Sequence, residues 1–281
     1  MEKKTIRLIV PDWQAGDNPV YYFGAKILQV IAPKKEGQKE ITIPVPDDFK
    51  PLERENGVTA QSAVYQQVKD TVSAIDKEAP DKIITFGGNC LVSQAPFAYL
   101  NEKYDDLGVL WVDAHPDISN PEIYENEHAM VLANLLGAGD PKLSGLVRKT
   151  LKPSQVRYEG MQGGVDVEQA ELDRLGVSYA AAKGNELDIS WIRENGIKHI
   201  ALHLDCDVMD PHDFYATYFN NPALGPIPYN AATGHMKRAS VWDFIEKISK
   251  ETDLVGFTIA EYMPWSAMQM RELMKRTKIF G

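Results

Sequence analysis

Short apolar runs, each ended by a polar cluster, alternate along this chain with stretches whose apolar positions recur at helical spacing. The clearest run is Val109, Leu110, Trp111 and Val112. Its β-branched and aromatic content suits a strand buried on both faces of a parallel sheet. Comparable runs predict strands at Ile6–Val10, Lys82–Phe86, His199–Leu204 and Leu254–Ile259, with weaker ones at Ile41–Val45, Val156–Tyr158 and Val177–Ala180. Helical spacing marks Tyr21–Ala32, Val58–Ile75, Ala129–Leu136, Val167–Leu175, Ile189–Asn195 and Ser240–Lys250. Met268, Met270 and Met274 read as the packing face of a helix near the end. Alternation of strands and helices predicts an α/β fold of three layers, α-β-α, around a mostly parallel sheet. Residues 33–57 read as a surface excursion and residues 209–230 as a long loop. With no internal repeat, low-complexity tract or shift in composition, residues 1–281 are expected to form one domain.

Chemistry enters where the runs end. Asp113, His115 and Asp117 follow the central run at alternate positions. In an extended segment alternate side chains share a face, so all three are expected to converge at the strand's carboxyl end. Open α/β sheets place their ligands there. A polar loop cap with an Asx-turn is the plainer alternative. Asp205 and Asp207 repeat the alternation after His199–Leu204, with Cys206 directed away. Polar clusters also close the runs at 87–90 and 260–261. Parallel strands bring all four ends to one sheet edge, which makes them one candidate site. Carboxylates gathered there would repel each other when ionised unless cations sit among them. Oxygen-rich ligation with a histidine favours a hard or borderline ion such as Mn²⁺, and this many ligands suits two ions better than one.

Composition narrows the possibilities. The formal net charge of −10 leaves no basic footprint for nucleic acid. The first apolar run is too short for a signal peptide and no stretch reaches the length of a membrane span, so a cytoplasmic protein is expected. In that compartment Cys90 and Cys206 are not expected to form a disulfide.

Four motifs stand in order at the strand ends: GGNC at 87–90, DAHPD at 113–117, DCDVMDP at 205–211 and EYMP at 261–264. In these the chain resembles the ureohydrolases (arginase, agmatinase, formiminoglutamase and relatives), whose signatures are GGDH, D-A-H-x-D, D-x-D-x-x-D-P and E-x-x-P. The resemblance runs from the first strand to about Pro264. It implies an arginase-like parallel sheet with its site at the carboxyl edge and two Mn²⁺ ions. By the same resemblance Asp113 and Asp205 would bridge the ions, and His115 and Asp207 would complete one. Asp117 would complete the other and hold a hydroxide that attacks a guanidinium carbon. Glu261 matches the acidic residue that holds the guanidinium, and a carboxylate there makes a charge-assisted pair. His128, within Asn126–Met130, matches the family's proton shuttle. A small guanidino substrate and a homo-oligomer are implied as well.

The chain also departs from the family pattern. Cys90 takes the place of the first histidine ligand, and a thiolate is softer and costs a proton to form. That leaves open weak binding, replacement by zinc or iron, or a single ion. Asn89, for the usual Asp, weakens the outer hydrogen bonding that orients a ligand. The segment Ile118–Glu127 is short, with Ser119 and Tyr124 nearest to the positions that read the amino acid's carboxylate in arginases. Ala216–Asn221 replaces a Gly-rich loop with aromatics that would narrow the pocket, so arginine is not carried over as substrate.

The expected function is therefore metal-dependent hydrolysis of a linear guanidino or amidine C–N bond. The alternative is an arginase-like binding or regulatory protein whose metal site has degenerated. A nucleotide-binding turn at Gly87-Gly88 fails for want of G-x-G-x-x-G. His199 and His203 read as hydrogen-bonded histidines of the core, or ones that support a ligand, rather than as metal ligands themselves, His212 and His235 as solvated, and Cys206 as a packed thiol.

Overall fold

The computed structural model describes residues 3–162, 166–179, 190–225 and 233–276. Thr5–Val10 (β1) leads through Val20–Ile31 (α1) to Lys39–Thr42 (β2). Arg54–Glu55 (β3) and Val58–Thr59 (β4) pair as a small antiparallel ribbon. Gln61–Glu78 (α2), Lys82–Gly87 (β5), Gln94–Lys103 (α3) and Leu107–Val112 (β6) follow. Two short helices, Val131–Leu135 (α4) and Pro141–Ser144 (α5), precede Val156–Glu159 (β7). Then come Asp166–Leu175 (α6), Ser190–Glu194 (α7), His199–Asp205 (β8), Arg238–Glu251 (α8), Asp253–Ala260 (β9) and Trp265–Arg276 (α9).

The main sheet has seven strands in the order β2-β1-β5-β9-β8-β6-β7, and every pairing is parallel. Alternation along the strands fills both faces. Leu107, Val109 and Trp111 of β6 join Val64 and Val68 of α2, Phe97 and Leu100 of α3 and Val131 of α4 in one core. Leu110 and Val112 turn to the other side, against Val241, Phe244 and Ile248 of α8. Burial on both faces explains why β6 reads as an unbroken apolar run. Registers such as Phe86 with Ile259, Val112 with Leu204 and Asp205 with Ala260 align the carboxyl ends of β5, β9, β8 and β6 side by side. The four polar clusters therefore occupy adjacent strands at the middle of the sheet. No helix among the described residues is long and apolar enough to cross a membrane.

Several elements differ from the sequence expectation. α2 begins at Gln61, because Val58 and Thr59 are held in the ribbon and Ala60 turns the chain in a left-handed conformation (φ 52°). β2 covers Lys39–Thr42 rather than Ile41–Val45. Residues 177–179 form no strand, and Ala180 lies outside the described residues. The methionines do not form one packing face. Met268 packs near Trp13 and Met263, whereas Met270 and Met274, four residues apart on one side of α9, are exposed.

Candidate metal centre

Each strand end is shaped by a local device that aims its side chains. After β5, a Cβ on Gly88 would lie 1.8 Å from the Asp12 carbonyl oxygen, so only glycine allows this approach. Asn89 then accepts a hydrogen bond from the Leu91 N–H and donates to the Asp12 carbonyl and carboxylate at 3.0 and 3.1 Å. Asn89 is thus a fully engaged turn-former, and its contacts run to Asp12. The turn buries Cys90 with its thiol donating to Asp205 Oδ2 at 2.9 Å and 3.7 Å from Glu261 Oε1.

After β6 the chain bends rather than continuing extended. Asp113 Oδ1 accepts the His115 N–H at 2.7 Å, and Asp117 adopts a left-handed conformation (φ 48°). After β8, Asp205 Oδ1 likewise accepts the Asp207 N–H at 2.7 Å. Convergence therefore comes from Asx-turns and not from strand alternation. The turn that was the plainer alternative is itself what gathers the candidate ligands, since in each turn the second carboxylate oxygen stays outside the Asx bond. Glu261, after β9, is also left-handed (φ 57°). Such conformations cost a non-glycine residue about 1–3 kcal/mol and cluster at functional sites.

These turns bring the candidate residues together in three groups whose ligand atoms lie within 4.8 Å of one another: Cys90, Asp113, Asp117 and His203; Cys90, Asp205 and Glu261; and Asp113, His115 and Asp207. His115 Nδ1 is 3.0 Å from Asp207 Oδ2. Burial, and then the neighbouring Asp207, Asp113 and Asp207 carboxylates respectively, push the pKa values of Asp113, Asp117 and Asp205 well above 3.8. Burial opposes charge on His115, yet Asp207 outweighs it and holds the imidazole well above 6.5. Burial likewise opposes charge on Asp207, and His115 overcomes it, keeping that carboxylate low. Burial, with Asp117 and Asp205 beside it, pushes the Cys90 thiol far up. Asp117 Oδ2, Asp207 Oδ1 and His203 Nε2 are buried without a hydrogen-bond partner. Packed acids, a buried thiol and unpartnered polar atoms within these overlapping groups fit divalent cations, whose charge would relieve the repulsion.

The centre floors a cavity of about 460 Å³ walled by Ser119, Tyr124, Tyr218 and Phe219, among others. His128 and Glu261 both line it, with His128 Nδ1 3.2 Å from Glu261 Oε1. Sequence reasoning missed Tyr21, whose hydroxyl donates to Glu261 Oε1 at 2.8 Å across 240 positions. Burial and then Glu261 push this phenol's pKa well up, so it remains a donor. It also missed Ser93 and Trp111, which hold His203. Cys206 packs among apolar residues of the α8 side, and His212 and His235 are exposed, as expected.

Glu127 anchors the turn that carries His128. Its Oε2 accepts from Asn134 Nδ2 at 3.1 Å. Burial first, and the Asp140 carboxyl second, push its pKa from 4.5 up to about 9. Because the folded value lies above the unfolded one, its contribution to stability is full below pH 4.5 and is lost as the pH rises through about 9. Glu127→Gln should remove that loss. The stability difference between variant and parent should shift by on the order of 2 kcal/mol between about pH 7 and pH 9. Thermal midpoints measured across that range test this, and parallel curves would refute it.

Comparison with known proteins agrees with this geometry. The arginase family pattern matches residues 37–271. An arginase of Staphylococcus aureus is 25% identical over 189 residues, 59% of this chain and 60% of that protein, so the match spans less than two thirds of the relative. An arginase of Entamoeba histolytica is 25% identical over 251 residues, 85% of this chain and 80% of the relative. The crystal structure of Entamoeba histolytica arginase in complex with L-ornithine superposes with a TM-score of 0.78 at 22% identity, covering 94% of this chain and 92% of that one. With a parallel sheet of this order, its polar strand ends in register and the family pattern spanning most of its length, the chain belongs to the arginase family.

Proposed function

We propose that this chain, as one arginase-like domain, hydrolyses a linear C–N bond of a guanidino or amidine compound with the help of divalent metal. The observation that carries the reading is that Cys90, His115, Asp117, Asp205 and Asp207 line the cavity that Glu261 and His128 also line, with Asp113 buried within ligand distance of Cys90, Asp117, His115 and Asp207. Asp113, Asp205, His115, Asp207, Asp117 and Cys90 would together hold divalent ions such as Mn²⁺, His115 and Asp207 at one position and Asp117 and Cys90 at another. When bound, the ions supply Lewis-acid activation and make a water acidic enough to be a nucleophile near neutral pH.

The chain's own groups supply the rest. Glu261, fixed by Tyr21 and facing the cavity, pairs with the substrate's cationic head through charge-assisted hydrogen bonds. The unpartnered Oδ2 of Asp117 accepts a hydrogen bond from the attacking water and orients it. His128 moves a proton to the leaving amine as the C–N bond breaks. Tyr124, Tyr218 and Phe219 narrow the cavity and exclude water from the cationic head. A second reading, an arginase-like binding protein without catalysis, draws on Cys90, whose burial favours a neutral thiol over a ligand.

Metal content per chain after loading with Mn²⁺, followed by a screen of guanidino compounds for urea release, separates the two readings. Asp207→Ala should lose one ion and lower hydrolysis by at least about 100-fold together. Unchanged metal content in that variant would count against the ligand set. Metal binding without hydrolysis of any compound would favour the second reading.

A further inference from the structure

His203 sits in the interior of β8, fully buried, two positions before Asp205, where it pairs with Trp111 of β6, itself two positions before Asp113. Its Nδ1 is 2.8 Å from Ser93 Oγ. Its ring stacks on Trp111 with centroids 3.8 Å apart and planes 12° apart. Trp111 Nε1 in turn donates to Asp113 Oδ2 at 3.1 Å. The ring is therefore fixed in plane and in rotation, since a flip would replace the nitrogen facing Ser93 with carbon. The other nitrogen, Nε2, has no hydrogen bond and lies 3.8 Å from Asp113 Oδ2. It faces the group formed by Cys90, Asp113 and Asp117. Ser93 belongs to the same 3₁₀ turn as Cys90, Cys90–Ser93, so one turn both delivers the thiol and tethers the imidazole.

An imidazole with one nitrogen held by the protein and the other bare is the arrangement of a metal-ligating histidine. A buried bare nitrogen with no ligand is costly and rare. We propose that His203 supplies the imidazole for the ion position between Asp113 and Asp117, completing with Cys90 a sulfur-nitrogen-oxygen site selective for a thiophilic ion such as zinc. The position at His115 and Asp207 keeps only nitrogen and oxygen donors and suits a harder ion. The two positions thus differ in metal preference. Binding at the first places the Cys90 proton in solvent and leaves a thiolate on the ion. This assignment rests on the proposed metal centre.

The test uses the full chain stripped with chelator and titrated with Co²⁺, Zn²⁺ or Mn²⁺. With Co²⁺, two ions should bind, one of them giving a thiolate-to-cobalt charge-transfer band that Cys90→Ser abolishes. His203→Gln should weaken the band-giving ion at least about 100-fold and leave the other within about threefold. Near-ultraviolet circular dichroism of the stripped variant confirms its fold. X-ray absorption of the unsubstituted chain with one equivalent of Zn²⁺ avoids any substitution and should show one sulfur and one imidazole donor. Sulfur without imidazole, or an unaltered titration in His203→Gln, would overturn the role of His203 while sparing the metal centre. Failure of the unsubstituted chain to bind any ion would overturn both.

Discussion

Adding Mn²⁺ or Zn²⁺ to chelator-treated protein should raise its thermal midpoint by about 5–10 °C. An ion present at about 100 times its dissociation constant adds about 2.7 kcal/mol to the folded state. Each kcal/mol moves the midpoint of a chain of this size by about 2–4 °C. The pH dependence should invert at the same time. In the metal-free chain Asp113, Asp117 and Asp205 have folded pKa values raised above 3.8 by burial and mutual repulsion. Their contribution is full below pH 3.8 and is lost as the pH climbs through the raised values. His115 has the same sign, its contribution being complete below 6.5 and lost above its raised value. Asp207 is depressed, so its window lies below pH 3.8, outside the range of interest. The stripped chain should therefore lose stability from about pH 5 to pH 8, while the loaded chain, whose ligands must shed protons to bind, should hold or gain it. Calorimetry with and without metal at several pH values checks both. A midpoint left at that of the stripped chain by Mn²⁺, Co²⁺ and Zn²⁺ alike would remove the basis for a metal centre.

Replacing Glu261 by glutamine should lower kcat/KM about 10²- to 10³-fold on whichever guanidino compound proves to be hydrolysed, and leave metal content unchanged. The side chain is buried, held by the Tyr21 hydroxyl and faced by His128. Glutamine is the same size and can keep one hydrogen bond, so the change removes charge and little else. Breaking a buried, hydrogen-bonded charge pair costs about 2–5 kcal/mol, a range whose middle, about 3–4 kcal/mol, corresponds to this fold-change. Steady-state kinetics and elemental analysis of the same preparation decide the matter. Loss of an ion would move Glu261 into the ligand set, which its proximity to Cys90 and Asp205 makes a real alternative.

The architecture was legible because both faces of the sheet are covered, which turns its central strands into apolar runs that nothing else in the chain resembles. The acidic positions were legible for a related reason: alternating carboxylates straight after such a run have little use elsewhere. Other features left no local trace. Helix α3 carries no apolar stripe, since Gln94, Phe97, Leu100 and Asn101 are all buried. Its inward polar side chains are satisfied by distant carbonyls, Gln94 by Leu143 and Asn101 by Lys149. Tyr21 reads as an ordinary helix residue until the fold sets it against Glu261. His203 lies in the core and hydrogen-bonds as expected, but the expectation that it is no ligand had no means of knowing that one of its nitrogens stays bare, which no spacing reveals. The Asx-turns show a further limit: two readings posed as rivals, turn-former and ligand, are compatible in the same side chain.

The order of strands carries a consequence for how the chain is assembled. β9 is the last of the described strands, yet it lies between β5 and β8 at the centre of the sheet. Until residues 253–260 leave the ribosome, β2-β1-β5 and β8-β6-β7 are two separate half-sheets, each with an open apolar edge that the other cannot cover. Such edges are templates for wrong pairing. The emerging chain must therefore carry its interior seam unsealed until that strand is made. A product ending before Asp253 would be poorly protected against aggregation, and would have neither the wall that bears Glu261 nor a finished cleft.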